Sequence, residues 1–195
     1  MTAQVSNKFR FEGKDYAIVA ATEPLRFDPR EHGVTPESCS TGCWNGFWCA
    51  YEVKEGGLLL DTLYINAQGD AYPAINGVLP VTKEDGKDFT YMGHHVYSGL
   101  NFSTGYTGKL LVGNDFQYEF YVHGGYQRPW AYKILVELVF HRGRLPEVND
   151  HSPIGAKIRK RPTKGLQPGQ RPSRGFVLLL DDDPFAAEAK NLWWL

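Results

Sequence analysis

The sequence predicts an all-β protein, in which an antiparallel meander forms a barrel or a sandwich and a short C-terminal helix follows. Apolar and aromatic runs of strand length are separated by turn signals, and helical spacing is nearly absent between them. The 11 Tyr, 11 Phe and 5 Trp favour strands because large rings pack well on a pleated surface. The 21 Gly and 12 Pro are typical of a fold with many tight turns.

The strands are predicted in chain order from these runs and from the turns between them. A hairpin turn is expected at Glu12 to Asp15, and Asn76-Gly77 is a strong signal for a two-residue hairpin because both positions tolerate positive φ. Further turns are expected at Glu55-Gly56-Gly57, Gly113-Asn114 and Arg142-Gly143. The predicted strands cover residues 8–11, 16–20, 47–53, 58–65, 89–97, 106–112, 115–123, 130–141 and 176–180.

The predicted strand over residues 130–141 has a clear period of two, with one apolar face and one mixed face. The mixed face carries Lys133 and Glu137, and the preceding strand carries Glu119 and His123 on a similar face. An antiparallel sheet with one buried and one wetter face has this pattern. Because only a short loop separates the two strands, we expect them to pair as neighbours.

The chain is predicted to have three parts. Residues 1–148 form the antiparallel β domain, and residues 149–175 form a basic, Pro- and Gly-rich mobile loop that cannot bury enough apolar area to order itself. Residues 176–195 provide the last strand and the C-terminal helix, which pack on the β domain. Asp183-Pro184 has the residue types of a helix N-cap and first turn.

Charge is distributed unevenly along the chain. The net charge is −1, but residues 1–156 carry −5, whereas residues 157–180 hold seven basic and no acidic side chains. A basic run attracts phosphate backbones. However, a pI near 6.6 is low for a dedicated nucleic-acid binder, and no aromatic residue interleaves the run over 157–164 to stack on bases.

The three cysteines, Cys39, Cys43 and Cys49, lack the paired CxxC spacing of a zinc site, even with His32 upstream, and no metal site is predicted. Cys49 lies within a predicted strand as a small buried hydrophobe. Cys43 lies in a Gly-bounded loop, where it could be exposed. An odd number of cysteines favours a reducing cytosol, so a cytoplasmic location is expected.

No cofactor is predicted. Residues 103–110 contain a Gly-Lys pair, but Ser103 stands where a P-loop has its first Gly, and Leu110 replaces the magnesium-binding Ser or Thr. No run approaches the roughly 18 apolar residues of a membrane helix, and the first residues lack the apolar segment of a secretory signal. No membrane association is therefore expected.

Binding is favoured over catalysis as the function. The sequence predicts a small cytosolic protein-interaction module, of an immunity or inhibitor type, that contacts a protein partner through the basic loop and exposed aromatic residues. The helix end that carries the two tryptophans either packs on the barrel or contributes to a homo-oligomer interface. The predicted binding residues are Lys157, Arg159, Lys160, Arg161, Lys133, Trp193 and Trp194.

Two alternatives stay open. If the mixed strand faces line a barrel interior, Glu119, Glu137 and His123 would serve a small-ligand-binding barrel or a hydrolase-like enzyme as acid-base groups, with Lys133 contacting an anionic ligand. If those faces point to solvent, the same residues form ordinary cross-strand charge pairs. In the other alternative, the cationic segment binds nucleic acid or another polyanion weakly.

A pattern over roughly residues 39–145 resembles a group of small uncharacterised bacterial β-rich proteins. Those proteins carry Cys-Trp-Arg-Gly-aromatic, Trp-Glu-Ile and Leu-x-Leu in this order. The corresponding segments are Cys43-Trp44-Asn45-Gly46-Phe47, Tyr51-Glu52-Val53, Leu58-Leu59-Leu60, Tyr106 to Leu110, Tyr121-Val122-His123 and Leu135 to Phe140. Here Asn45 and Tyr51 replace the Arg and the Trp. The resemblance implies a bacterial or phage setting and brings no activity, cofactor or catalytic residue.

Overall fold

The computed structural model describes residues 3–38, 40–67, 69, 72–82, 94–121, 123 and 126–160. Within them the chain forms nine strands, one α-helix and three 3₁₀ turns. The strands are β1 Lys8–Phe11, β2 Lys14–Ala21, β3 Phe47–Lys54, β4 Gly57–Ile65, β5 Val81–Thr82, β6 His95–Ser103, β7 Gly108–Phe116, β8 Tyr132–His141 and β9 Arg144–Asp150. Helix α1 spans Ser152–Lys160, and the 3₁₀ turns span Pro29–His32, Tyr118–Phe120 and Pro129–Ala131.

One sheet contains all nine strands, in the order β3-β1-β2-β7-β8-β9-β4-β6-β5. An additional pairing between β3 and β4 closes a ring of seven strands, and β6 and β5 extend the sheet beyond β4. The predicted all-β, barrel-like fold is confirmed. The sheet is mixed, however, because β1 pairs with β3 in parallel. Hairpin turns predict only antiparallel pairing between strands that are neighbours in sequence. The parallel pairing of β1 with β3, which are distant in sequence, is therefore not indicated by any local sequence pattern.

Most of the predicted hairpin turns are confirmed, because both of their residues have the positive φ that type I′ turns require. They are Glu12-Gly13, Glu55-Gly56, Asn76-Gly77 and Arg142-Gly143. The turn predicted at Gly113-Asn114 is wrong, since both residues lie inside β7. A Cβ at Gly113 would lie 2.5 Å from Cγ of Tyr132. This glycine therefore makes room for an aromatic ring that packs across the strand.

The main core fills the interior of the ring. Strand β8 contributes Leu138 and Phe140, with Ile134 and Val136 packed at its margin, as the period of two predicts. Burying one such side chain fully stabilises the fold by about 1.5–3 kcal/mol. Other fully buried members of this core are Phe9, Ile18, Leu58, Leu60, Leu63, Ile65, Tyr97 and Leu110.

A second apolar cluster lies on the outer side of β2, β7 and β8, where α1 covers the sheet. Leu135 of β8 is completely buried there against Ile158 of α1. A Cβ at Gly155 would lie 2.8 Å from Cδ1 of Leu135, so the glycine lets the helix backbone approach the strand closely. Tyr132 also packs in this outer cluster, which breaks the predicted alternation at the beginning of β8.

The strand predicted over residues 115–123 is wrong. Strand β7 ends at Phe116, and Tyr118–Phe120 forms a 3₁₀ turn. The backbone N–H of Gln117 donates to the carbonyl of Ala131 at 2.7 Å. This bond leads the chain away from the strand ladder, although the alternating aromatic residues of the segment match a strand period.

The predicted loop over residues 149–175 needs correction at its beginning, because β9 continues to Asp150 and α1 follows. The Asp150 carboxylate accepts a hydrogen bond from the Ser152 N–H at 2.9 Å. Ile154 and Ile158, one helical turn apart, both belong to the cluster beneath α1. The helix therefore has a start signal and an apolar side in the sequence, which the surrounding Pro, Gly and basic residues obscure.

Several predicted elements lie outside the described residues. These are the remainder of the basic loop, residues 161–175, and the last strand and C-terminal helix, residues 176–195. The first part of the strand predicted at 89–97 also lies outside them.

Candidate functional site

The basic residues of α1 fall into two groups. Lys157 and Lys160 are exposed, whereas Arg159 is half-buried. Nη1 of Arg159 donates to the carbonyl oxygens of Trp130, at 2.8 Å, and Tyr132, at 2.7 Å. Arg159 therefore fastens α1 to the beginning of β8. Because its guanidinium group is bonded to the backbone there, Arg159 is less accessible to a partner than Lys157 and Lys160.

Lys133 lies on the same side of β8 as Leu135, on which α1 packs. Its side chain is 67% exposed, and Nζ lies 3.5 Å from Oδ2 of Asp115. An exposed ion pair of this kind contributes little to stability. We call Lys133, Lys157 and Lys160 the lysine surface. The other predicted binding residues, Arg161, Trp193 and Trp194, lie outside the described residues.

The residues of the predicted acid-base cluster are not brought together. Glu119, in a 3₁₀ turn, and His123 are both exposed. Glu137 lies five residues along β8 from Tyr132, whose register partner Phe116 precedes that turn. Five strand residues span about 16 Å. Glu119 and Glu137 therefore occupy separate regions.

Glu137 instead belongs to a buried ionic cluster on the outer face of β8, where it is 6% exposed. Lys109 Nζ donates to both carboxylate oxygens at 3.3 and 3.4 Å, and Asn149 Nδ2 donates to Oε1 at 3.1 Å. Nε2 of His151 lies 3.7 Å from Oε2. Burial raises the pKa of Glu137, but the Asn149 hydrogen bond and the Lys109 charge outweigh it and bring the pKa below its ordinary value. A general acid at neutral pH requires the opposite shift.

A cavity of about 60 Å³ lies at the beginning of β3, bounded by residues near the N-terminus, by the loop that precedes β3 and by Tyr126. A water molecule needs about 10–15 Å³, so the cavity has room for about four waters. Among the described residues that line it, none is Asp, Glu, Lys, Arg or His. These residues therefore offer only uncharged groups to an occupant of the cavity.

Three titratable groups in the cavity wall, those of Cys49, Tyr51 and Tyr126, are held neutral by burial. Burial raises the pKa of Cys49 to about 12, that of Tyr126 to about 12, and that of Tyr51 well above its ordinary value. Cys49 is therefore not a thiolate nucleophile at neutral pH. The expectation that Cys43 could be exposed is wrong, because it is buried with Sγ 3.6 Å from the Phe47 carbonyl oxygen.

The loop before β3 is shaped by Gly46. Its φ is +76°, and a Cβ there would lie 2.5 Å from the backbone oxygen of Glu37, so only glycine fits. The loop presents Trp44, which is 61% exposed, at the cavity, and Gln4 accepts a hydrogen bond from the Trp44 N–H at 3.3 Å. This site is not among the residues predicted from the sequence, where its one visible signal is an aromatic residue two positions before a turn glycine.

Trp48 completes the wall beside this loop and is 4% exposed. Its ring stacks on Tyr64 with centroids 3.7 Å apart, and Lys8 Nζ lies 5.1 Å from its ring centroid. The buried Nε1–H has no acceptor among the described residues. An unsatisfied buried donor costs about 1–3 kcal/mol.

No metal centre is evident in the described part of the chain, where no three His, Cys, Asp or Glu side chains are placed to hold an ion. His32 stacks on Phe27, with ring centroids 5.2 Å apart. Cys39 lies outside the described residues.

No protein-family model, curated protein or solved structure matches the chain. In the described residues, no helix combines the length and the apolar character that crossing a membrane requires.

Proposed function

We propose that the protein is a cytosolic interaction module that binds an acidic protein partner through the lysine surface. The observation that carries this proposal is the docking of α1. Arg159 and Ile158 fix the helix on β8, while Lys157 and Lys160 stay exposed on it. Lysines on a docked helix present a preformed cationic surface, which lowers the ordering cost of binding.

The charge distribution favours a protein partner over nucleic acid. Residues 1–156 carry a net charge of −5, so the basic segment is the exception on an acidic molecule. A nucleic-acid duplex carries dense negative charge along its whole length. Beyond α1 it would therefore lie against the acidic remainder of the molecule and be repelled. An acidic patch of a protein can instead be confined to the lysine surface, within the Debye length of about 8 Å at physiological salt.

Photo-crosslinking tests this proposal. The full chain carrying Lys157→p-benzoylphenylalanine is crosslinked in cells, the captured molecule is identified by mass spectrometry, and its affinity is measured by calorimetry. We expect a protein with an acidic surface. The double variant Lys157→Glu, Lys160→Glu should bind it about tenfold more weakly, and added salt should weaken binding of the unmodified chain.

The matched control is Lys14→Glu, Lys54→Glu, which makes the same charge change at exposed lysines elsewhere. Its affinity should stay within about twofold. Equal loss in both double variants would contradict a localised surface, and capture of nucleic acid alone would favour the polyanion alternative. A partner that is a toxin or a nuclease would give the module the immunity or inhibitor role that the sequence analysis expects.

A further inference from the structure

We propose that the cavity at the beginning of β3 is a second binding site, which takes an uncharged carboxamide side chain of the protein partner. This inference rests on the proposed function, because it assigns the occupant to the same partner. The wall contains no charged side chain, so a carboxylate or an ammonium group would lose its hydration without compensation. An amide group can donate and accept hydrogen bonds without that cost.

The cavity dimensions set the size of the occupant. A volume of about 60 Å³ holds about four waters, which matches the few heavy atoms at the end of an Asn or Gln side chain. So few atoms give weak affinity on their own. The occupant is therefore the tip of a larger molecule, and the rest of that molecule lies over the rim.

The rim has the character of a protein interface. Trp44 is 61% exposed beside the cavity, and exposed tryptophans next to pockets concentrate binding energy at interfaces. Asn45, also exposed on the rim, adds a hydrogen-bonding side chain. Tyr51 and Tyr126, whose hydroxyl groups burial keeps neutral, also line the cavity.

The cavity and α1 are close enough for one partner to cover both. Tyr126 lines the cavity, and Trp130, whose carbonyl accepts from Arg159 of α1, follows four residues later. Four residues of extended chain span at most about 14 Å. A standard interface buries about 800 Å² on each partner, which corresponds to a patch roughly 28 Å across, so it is wider than this distance.

Acetamide and acetate provide the test, because they have the same shape and differ in charge. The isotope-labelled full chain is titrated with each, and the indole N–H resonances of Trp44 and Trp48 are followed by NMR. We expect saturable shifts with acetamide, with a Kd of about 1–10 mM, and less than about one tenth of these shifts with acetate. Shifts that do not saturate, or equal shifts with both probes, would overturn the inference.

Two variants locate the binding. Tyr126→Trp should fill the cavity and abolish the acetamide shifts, whereas Tyr118→Trp, at a residue that is 81% exposed, should leave them unchanged. If Tyr126→Trp unfolds the chain, Tyr126→Phe replaces it and should weaken acetamide binding several-fold by removing one hydroxyl group. Unchanged binding in the folded Tyr126 variant would place the acetamide elsewhere and refute the site.

Crosslinking separates this inference from the proposed function. The Lys157→Glu, Lys160→Glu variant should bind acetamide as the unmodified chain does. If acetamide binds in the cavity but the lysine substitutions leave partner binding unchanged, only the proposed function is refuted. Asn45→p-benzoylphenylalanine should capture the same protein as Lys157→p-benzoylphenylalanine. Capture at Lys157 without capture at Asn45 would instead refute only the shared partner.

Discussion

The two faces of β8 are built on different principles. Its inner face places Leu138 and Phe140 in a fully apolar core inside the ring. Its outer face combines Leu135, completely buried under α1, with Glu137, which is buried among polar partners. The inner face is stabilised by its apolar area alone. The outer face depends on which elements cover it, namely α1 and the end of β9.

This difference resolves the ambiguity of the mixed face. A face that alternates apolar and charged residues suits either a ligand pocket or a solvent-facing sheet. At Leu135 and Glu137 it is neither, because a helix covers the apolar residue and an ionic cluster surrounds the charged one. Only the ends of this face reach solvent, where Lys133 forms an exposed ion pair with Asp115. A buried carboxylate is tolerated when several donors satisfy it, and Glu137 receives hydrogen bonds from Lys109 and Asn149.

The largest effect is expected on the inner face. Leu138→Ala should lower the free energy of unfolding by about 3 kcal/mol, because it removes buried methyl groups and leaves a cavity in a packed core. Urea titration followed by circular dichroism measures this loss. Val148→Ala, at a residue 48% exposed on β9, is the control and should cost less than about 0.5 kcal/mol. A loss below about 1 kcal/mol for Leu138→Ala would mean that this face is not a close-packed core.

A smaller effect is expected where α1 is fastened to the outer face. Arg159→Met should lower the free energy of unfolding by about 2 kcal/mol, since it removes two charge-assisted hydrogen bonds to the carbonyls of Trp130 and Tyr132. Lys160→Met changes the same charge at an exposed position of the same helix and should have an effect within about 0.5 kcal/mol. Urea titrations compare the two variants. Equal losses would indicate that the total charge of α1 matters, and not the bonds of Arg159.

The inner face could be predicted from sequence because alternation along one strand determines which side chains share a face. The type I′ turns could be predicted as well, since residue pairs such as Asn76-Gly77 report directly on the sign of φ. What covers the outer face depends on pairing between distant segments, which alternation does not encode. The partners of Glu137 come from β7 and from the chain at the end of β9, and no local pattern connects Lys109 with Asn149.

The predicted acid-base cluster is dispersed in the structure for a related reason. The strand expected over residues 115–123 had a convincing period, and the misplaced Glu119 and His123 followed from that error. Arg159 looked like its neighbours Lys157 and Lys160 because charge alone does not reveal which side chain the fold uses. The cavity has no charged residue among the described residues that line it, so no cluster of ionisable residues marks it in the sequence.

The smallest effect is a pH dependence that belongs to the outer face alone. Because the pKa of Glu137 is lower in the folded chain than its ordinary value of 4.5, its ionised form stabilises the fold above that value, and this stabilisation is lost as pH falls through the folded pKa. Glu137→Gln should therefore cost about 1 kcal/mol at pH 7 and progressively less toward pH 3. Urea titrations of both chains across this range measure the difference. The loss from Leu138→Ala, which removes no titrating group, should stay constant over the same range. A Glu137→Gln effect that is equally constant would mean that the buried carboxylate owes its stability to packing, and the two faces of β8 would then not differ in principle.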